Sequence, residues 1–229
     1  IGTARIADEI GVDNQRAYMQ KLGFMAPVDI ELKERGRTLT PNPWGRAAVL
    51  TVGFGHGIAV TPLHLASGYA ALVNGGIWRP ATVLKREAKD VPEGRRVFTE
   101  AASRQMRSLM RLVVLDGTGR KADAPGYRLG GKTGTAEKAR NGGYARRSLV
   151  SNFAGAFPMD DPRYVIVVML DEPKGTKDTF GFATAGWTAA PIVSRTVSRV
   201  GPLLGVIPDE RREANVAPLM QYVWQGKKG

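Results

Sequence analysis

The chain has 229 residues, of which 43% are hydrophobic, so it can bury a substantial core; its length suits one large domain or two small ones, and we take one domain as the default. Its net charge of +12 favours an anionic partner, but the positive residues are scattered and lack interleaved aromatic residues, which argues against a dedicated nucleic-acid surface. The absence of cysteine excludes disulfides, thiolate metal sites and a cysteine nucleophile, and two histidines argue against a histidine metal cluster.

The first helical pattern lies near the start of the chain. Apolar residues at near-helical spacing, interrupted at Gly11 and Asp13, predict two short helices within residues 4–22, with Gly23 as the stop. Residues 26–46 are rich in proline, glycine and charge, and this composition predicts a surface loop. No run of apolar residues in the chain is long enough to predict a membrane-spanning helix.

A glycine-spaced turn precedes the next predicted helix. Gly53, Gly55 and Gly57 could suggest a phosphate-binding loop, but no Lys-Ser or Lys-Thr pair follows them. We therefore interpret them as a structural turn. Thr61 as N-cap and Pro62 in the first helical turn then predict the start of a helix.

The middle of the sequence predicts one strand and one helix. Residues 78–85 have a strand-like composition, with Pro80 favouring an edge or a start. Thr99 and Glu100 open a helix whose apolar residues recur at i, i+3, i+4 and i+7, so that one face should pack on the core. A loop of turn-forming residues follows at 116–126. The apolar residues of the helix are Met106, Leu109, Met110 and Val113.

The last third of the sequence changes to strand patterns. Polar turns at residues 139–147 and 159–163 separate three strands, and such short connections predict antiparallel neighbours. The apolar run 164–170 should be covered on both faces, one of them by a helix over residues 183–200 with Pro191 inside it. The sequence thus predicts an α+β fold, an antiparallel sheet flanked by helices. The predicted strands are residues 127–138, 148–158 and 164–173.

A lysine within a glycine-rich strand is the clearest chemical signal. Lys132 is followed by Thr133, Gly134 and Thr135, so one strand edge would present a cation, two hydroxyls and an unobstructed backbone. Such an edge can pair with an extended peptide, hold its carboxylate, and donate an N–H to a developing oxyanion. The pattern favours acyl transfer on a peptide; taken alone, these residues would also suit an ordinary surface lysine.

Lys132-Thr133-Gly134 resembles the third motif of the penicillin-recognising serine acyltransferases, which combine Ser-x-x-Lys, Ser-x-Asn and Lys-Thr-Gly. The surrounding segments follow the order found in class B penicillin-binding proteins, and nearly the whole chain is similar to that family, most closely to division-specific transpeptidases. The resemblance implies the penicillin-binding, serine β-lactamase-like transpeptidase fold. The matching segments are GFGHGIAVTPLHLASGYAALVNGG, DGTGRKA, GYRLGGKTGTAEK, NFAGAFP and APIV.

Two motifs of that family do not occur in the sequence. No serine has a lysine at the Ser-x-x-Lys spacing, and there is no Ser-x-Asn. Ile1, Gly2 and Thr3 fit the residues that follow the second motif in this family. The expectation is that residues 1–229 are the C-terminal portion of one transpeptidase domain, starting just after the second motif, and that this portion alone is inactive.

The resemblance gives roles to five residues. Lys132 would bind the substrate carboxylate and maintain the electrostatics around the serine and lysine of the first motif. Thr133 and Thr135 would hydrogen-bond the carboxylate of the substrate or of penicillin, and the Thr135 N–H would form half of the oxyanion hole. Gly134 would keep the strand edge clear, and Phe180 would form an aromatic wall beside the site.

The implied reaction is attack by the serine of the Ser-x-x-Lys motif, which this sequence lacks, on the D-Ala-D-Ala bond of a peptidoglycan stem peptide. An amine of a neighbouring peptidoglycan strand then resolves the acyl-enzyme. β-Lactam antibiotics would acylate the same serine. The resemblance implies no metal or organic cofactor. The parent protein would carry an N-terminal membrane helix outside this chain, place this domain on the periplasmic side of the inner membrane, and work with a septal glycan polymerase and other division proteins.

Two other functions stay open at this point. A D,D-carboxypeptidase or a serine β-lactamase of the same fold would pass the acyl group to water. A basic module that binds nucleic acid or another anionic polymer would instead bind with strong salt dependence and would not react with penicillin.

The remaining candidate residues have simpler interpretations. His56 lacks an evident orienting carboxylate, and we interpret both it and His64 as structural. Thr118 and Lys121 have the spacing of a nucleophile-x-x-Lys motif, but they fall in a predicted loop, and we interpret the spacing as chance. The acid pairs 160–161 and 171–172 precede proline and are interpreted as turn residues rather than a two-carboxylate site.

Overall fold

The chain divides into two compact units, Ile1–Thr99 and Glu100–Gly229. In the described part of the chain, no helix combines the length and the apolar character needed to span a membrane. The computed structural model describes residues 1–140 and 143–223, with all of their side chains except those of residues 139, 140, 143–147 and 222.

The first unit is mainly helical. Its elements are α1 (Gly2–Lys21), α2 (Arg46–Val52), α3 (Pro62–Val73), β1 (Ile77–Trp78), a 3₁₀ helix (Ala88–Asp90) and β2 (Arg95–Arg96), which pairs with β1. Helix α1 is kinked at Gly11, where φ is 77°, so the two predicted helices are confirmed as two segments joined at this glycine. Gly23 also has φ 77° and follows the end of the helix, as predicted.

The start of α3 is confirmed at Pro62, with Thr61 as its N-cap. Thr61 Oγ1 accepts the backbone N–H of His64 at 3.3 Å, and Nδ1 of His64 accepts the backbone N–H of Thr61 at 3.2 Å. The two residues therefore form a reciprocal cap. His64 is buried, and its Nε2 donates to the carbonyl oxygen of Ala26 at 2.9 Å. These contacts confirm the structural interpretation of His64.

The strand predicted over residues 78–85 is wrong beyond Trp78. The carboxylate of Glu31 accepts hydrogen bonds from Thr82 Oγ1 and, at 3.2 Å, from the backbone N–H of Val83. These bonds hold the segment in a bend and take up a backbone donor that a ladder would need.

Helix α2 was not predicted. Its seven residues are too few for a helical period to be recognised in the sequence. Val49 and Val52 are buried in a small core with Trp44, and this packing stabilises the short helix. Because α2 begins at Arg46, the loop predicted over residues 26–46 is confirmed up to residue 45.

The second unit combines helices with a sheet. Its described elements are α4 (Glu100–Asp116), a 3₁₀ helix (Arg120–Ala122), β3 (Gly130–Arg140), β4 (Gly143–Phe157), β5 (Tyr164–Asp171), α5 (Ala189–Val200) and two further 3₁₀ helices (Pro202–Leu204 and Ala217–Tyr222). The strands are antiparallel in the order β3-β4-β5. This arrangement confirms the predicted α+β fold and the antiparallel sheet.

The pairing of β3 with β4 continues to Arg140 opposite Gly143, so most of the turn predicted over residues 139–147 is strand. The remaining turn residues, Asn141 and Gly142, lie outside the described part of the chain. Strand β4 pairs with β5 on its other side. Within the described residues, β4 is thus the central strand and β3 has one open edge.

Two expectations about the surroundings of the sheet are only partly confirmed. The core that includes α5 packs against alternate residues of β5 from Tyr164 to Val168, which confirms the expected cover of one face. The described residues do not fully cover the other face, since Met169 is 50% exposed. As the other edge strand of the described sheet, β5 has fewer neighbours than a central strand would have. The helix predicted over residues 183–200 begins only at Ala189, because residues 183–188 form turns against β3 and β4.

The core of the second unit lies between the sheet and α5. Phe153 of β4 is fully buried against Val193 and Val197 of α5, together with Leu129 and Val114. Fully burying such side chains contributes about 1.5–3 kcal/mol each. This packing fixes the central strand, which in turn positions β3.

The apolar face predicted for α4 is only partly confirmed. Met110 is 4% exposed, as predicted, whereas Leu109 is 41% exposed. The buried face includes a charged residue, Arg111, which a hydrophobic pattern does not place inside the protein. The buried residues of the helix are Ser103, Met110, Arg111 and Val114.

Arg111 is buried because several acceptors surround its guanidinium group. It donates to both carboxylate oxygens of Glu213, at 2.8 and 2.7 Å, and to Asp123 at 2.7 Å. It also donates to the carbonyl oxygen of Leu129, directly before β3, at 2.8 Å. These bonds link α4 and a C-terminal segment to the start of β3 and offset the desolvation of the charge.

A second buried arginine lies at the same end of β3. Arg128 has φ 48° and donates from Nε to Asp160 at 2.6 Å and from Nη1 to the carbonyl oxygen of Gly126 at 2.8 Å. Arg212 also donates to Asp160. The carboxylate of Asp160 therefore neutralises the guanidinium of an arginine that is only 4% exposed.

Candidate functional site

Lys132 lies on the edge strand β3, opposite Ala154 of β4. Side chains alternate along a strand, so Lys132 leaves β3 on the face opposite to Thr133 and Thr135. Its long side chain nevertheless folds back, since Nζ donates to the carbonyl oxygen of Thr133 at 2.8 Å and to Thr133 Oγ1 at 3.3 Å. The ammonium group and a motif hydroxyl are thereby joined.

The electrostatic setting of Lys132 differs from that of Lys138 on the same strand. Lys138 pairs with Asp171 at 2.7 Å and Glu172 at 3.2 Å, and its hydrogen bond to Asp171 raises its pKa. Lys132 forms no ion pair with a carboxylate of the described residues, and partial burial of its ammonium lowers its pKa. A bound carboxylate would favour the charged form of Lys132.

Thr118 supplies a hydroxyl that the sequence analysis did not assign to the site. It lies in the turn after α4, and its Oγ1 is 2.7 Å from Thr133 Oγ1 although 15 residues separate the two. The DGTGRKA segment carried part of the family resemblance, but that resemblance gave Thr118 no role. Only the folded chain brings the two hydroxyls together.

The hydroxyl of Thr135 is held by the loop that precedes α5. Thr135 Oγ1 accepts the backbone N–H of Ala185 at 3.1 Å. Ser151, the partner of Thr135 in the register of β3 and β4, is fully buried and donates to the carbonyl oxygen of Ala183 at 2.7 Å. Because Thr135 Oγ1 acts as acceptor in this bond, its own hydrogen can be donated to a ligand.

Two glycines of β3 lie close to the neighbouring strand. A Cβ at Gly134 would lie 2.7 Å from Oδ1 of its cross-strand partner Asn152. A Cβ at Gly131 would lie 2.5 Å from the carbonyl oxygen of Ala154 and 2.5 Å from Cζ of Phe153. Packing against β4 therefore explains glycine at both positions, in addition to the clear edge that the resemblance implies for Gly134.

We expect Gly131→Ala to lower the free energy of unfolding by about 1–3 kcal/mol, the usual cost of overpacking. The obstructing oxygen of Ala154 belongs to the backbone of the central strand and cannot move aside. Gly134→Ala should cost less, because the side-chain amide of Asn152 can rotate away. Urea unfolding followed by circular dichroism measures both changes. Equal losses in the two variants would contradict this explanation.

Phe180 lies in an exposed aromatic cluster after β5. It is 77% exposed, and its ring packs edge-on against Trp187 with centroids 5.5 Å apart. Phe182 stacks on the same indole at 5.4 Å. Among the described residues, no hydrogen bond or ring contact joins Phe180 to the motif; its loop reaches Thr135 through Ala185.

The other candidates of the first unit have structural surroundings. Gly55 and Gly57 have φ values of 95° and 77°, which explains glycine there as part of a turn. The ring of His56 packs against Phe54 with centroids 5.3 Å apart. The glycine turn is not followed by the Lys-Ser or Lys-Thr pair that a phosphate-binding loop requires.

The acid pairs take part in ion pairs within the second unit. Asp160 binds Arg128, and both acids of the pair 171–172 bind Lys138. These partners agree with a structural role rather than a two-carboxylate site. Across residues 1–140 and 143–223, no group of three or more histidine, aspartate and glutamate side chains could hold a metal ion.

Comparison with known proteins identifies the family to which these features correspond. The family model described as the penicillin binding protein transpeptidase domain matches residues 1–195. A protein of Caulobacter vibrioides, named as a probable peptidoglycan D,D-transpeptidase FtsI, is 44% identical over 90% of the chain. Stage V sporulation protein D of Bacillus subtilis is 36% identical over 99% of it. The chain spans 36% and 35% of these two relatives.

Solved structures share the fold. The transpeptidase domain of Burkholderia pseudomallei penicillin-binding protein 3 is 31% identical, with a TM-score of 0.82 over 91% of this chain and 62% of that one. Penicillin-binding protein 3 of Mycobacterium tuberculosis in complex with ampicillin is 25% identical, with a TM-score of 0.80 over 91% of this chain and 50% of that one.

Proposed function

Because the chain belongs to the penicillin-binding protein transpeptidase family, we propose that it is the C-terminal portion of the transpeptidase domain of a peptidoglycan D,D-transpeptidase. The observation that carries the proposal is the open edge of β3, where Lys132 and Thr133 are joined and Thr135 is held by Ala185. One cation and the hydroxyls beside it suit the C-terminal carboxylate of a stem peptide.

Each group at the edge has a role in this proposal. Lys132 attracts the carboxylate, and its ammonium group donates to the carboxylate instead of to the Thr133 carbonyl oxygen. Thr133 and Thr135 donate their hydroxyl hydrogens to the same carboxylate, and Thr118 fixes the orientation of Thr133 through the contact of 2.7 Å. Gly134 leaves room for the peptide, and Phe180 packs beside its apolar portion.

The covalent step uses groups from outside this chain. A serine of a Ser-x-x-Lys motif attacks the carbonyl carbon between the two D-alanines; the amide bond breaks, and the terminal D-alanine leaves with a proton. The Thr135 N–H and the N–H of that serine stabilise the oxyanion. The amine of a neighbouring strand then attacks the ester, releases the serine and forms the cross-link.

The cellular setting follows from the sequence resemblance to division-specific transpeptidases. We place the parent protein in septal cell-wall synthesis, anchored in the inner membrane with this domain on the periplasmic side. Its partners would be the stem peptides, a septal glycan polymerase and other division proteins. β-Lactams would compete with the stem peptide for the same serine.

We expect penicillin to label the full-length protein but not residues 1–229 alone, because the isolated portion contains no Ser-x-x-Lys. Intact mass spectrometry before and after incubation with benzylpenicillin measures this directly. The full-length protein should gain the mass of one antibiotic. No gain in the full-length protein would refute the proposed function, and a gain in the isolated portion would show that a nucleophile exists within it.

The lifetime of the adduct tests the acyl acceptor. A transpeptidase excludes water from productive attack, so the labelled mass should persist for much longer than the labelling takes. Rapid loss of the adduct with release of hydrolysed penicillin would indicate a carboxypeptidase or a β-lactamase instead.

A further inference from the structure

Lys121 is a second cation close to the motif, and the proposed reaction does not use it. Its Nζ lies 4.2 Å from the centroid of the Trp187 ring, which is the distance of a cation–π contact. No carboxylate of the described residues forms an ion pair with Lys121. Such a contact holds the ammonium in place while its formal charge stays available to an anion.

The indole under Lys121 is itself held in place. The backbone N–H of Trp187 donates to the carbonyl oxygen of Thr184 at 2.9 Å. Phe182 stacks on the ring with an interplanar angle of 21°, and Phe180 meets it edge-on at 78°. An ammonium on a fixed aromatic surface needs less ordering to bind a ligand than one on a flexible side chain.

Two chain segments place this cation beside the motif. The segment that carries Lys121 begins with Thr118, whose hydroxyl contacts Thr133. The segment that carries Trp187 bonds Thr135 through Ala185, and its Gly186 lies so close to Thr118 that a Cβ there would be 2.9 Å from the Thr118 carbonyl oxygen. The segments therefore meet at the two motif threonines.

We propose that Lys121, held on Trp187, forms a second carboxylate-binding subsite. The inference rests on the proposed function and extends it to substrate specificity. Lys132 binds the C-terminal carboxylate, and Lys121 binds a carboxylate on a side chain of the same ligand, while the exposed aromatic rings pack against the apolar atoms between them. The subsite thus selects stem peptides and β-lactams that carry two carboxylates.

A matched pair of penicillins tests this subsite in the full-length protein. Carbenicillin is benzylpenicillin with one additional side-chain carboxylate, so the ratio of their second-order acylation rates reports on that group alone. We expect Lys121→Met to lower the ratio of carbenicillin to benzylpenicillin about tenfold, as for the loss of one favourable charge pair. Lys121→Arg should preserve the ratio, because a guanidinium also stacks on an aromatic ring.

Lys177→Met is the matched control, since Lys177 is an exposed lysine of the same aromatic loop without a ring contact to Trp187. Its ratio should equal that of the wild type. An unchanged ratio in Lys121→Met, or an equal fall in Lys177→Met, would overturn the subsite and leave the proposed function intact. Absence of acylation by both penicillins in the wild type would instead overturn the proposed function, and the subsite with it.

Discussion

Replacing Lys132 with alanine should lower the rate of penicillin acylation of the full-length protein by about 100-fold to 1,000-fold, the usual cost of losing one preorganised stabilising group. The ammonium group has no carboxylate partner among the described residues, and its donors are directed to the carbonyl and hydroxyl oxygens of Thr133. Without it, the ligand carboxylate loses its cation and Thr133 loses a donor. Rapid-quench mass spectrometry measures the rate.

Lys138→Ala provides the matched control on the same strand. Its ammonium is already paired with Asp171 and Glu172, so its loss should leave the acylation rate close to that of the wild type. Because Lys132 is an exposed edge residue, its replacement should change the free energy of unfolding by no more than about 0.5 kcal/mol. Acylation of Lys132→Ala at the wild-type rate would remove Lys132 from the site.

The features that the sequence predicted depend on local signals. Thr61 and Pro62 mark the start of α3 because capping and the fixed φ of proline act within one turn. The strands around Lys132 and Phe153 were recognised from their composition and short connections, which also determine their antiparallel order. The Lys132-Thr133-Gly134 motif could be recognised because its residues are consecutive in the sequence.

The features that the sequence did not predict depend on contacts between distant residues. Thr118 belongs to the site because the turn after α4 contacts β3, and no periodic pattern in the sequence predicts that contact. The buried face of α4 includes Arg111, which is stable there only because Glu213, 102 residues later, supplies a carboxylate. A hydrophobic pattern treats an arginine as exposed, so it misplaces such a face.

Asp160→Ala should lower the free energy of unfolding at neutral pH by about 3 kcal/mol, the cost of leaving a buried charge without its partner. The guanidinium of Arg128 is almost fully buried, and Asp160 accepts from its Nε at 2.6 Å. The remaining acceptors of Arg128 are the backbone carbonyl oxygens of Gly126, at 2.8 Å, and Asp209, at 3.4 Å, which are uncharged and cannot neutralise the guanidinium. Urea unfolding of the two proteins at several pH values measures the difference.

The pH dependence of this difference identifies the charge as its cause. Burial raises the pKa of Asp160, but the hydrogen bond and the charge of Arg128 outweigh it and hold that pKa below its ordinary value. The stabilisation is therefore complete above about pH 4 and is lost as the pH falls through the lower pKa of the folded state. The exposed neighbour provides the control, since Asp161→Ala should change the free energy by no more than about 0.5 kcal/mol. Equal losses in the two variants, or an Asp160→Ala loss that persists in acid, would mean that the ion pair with Arg128 does not stabilise the start of β3.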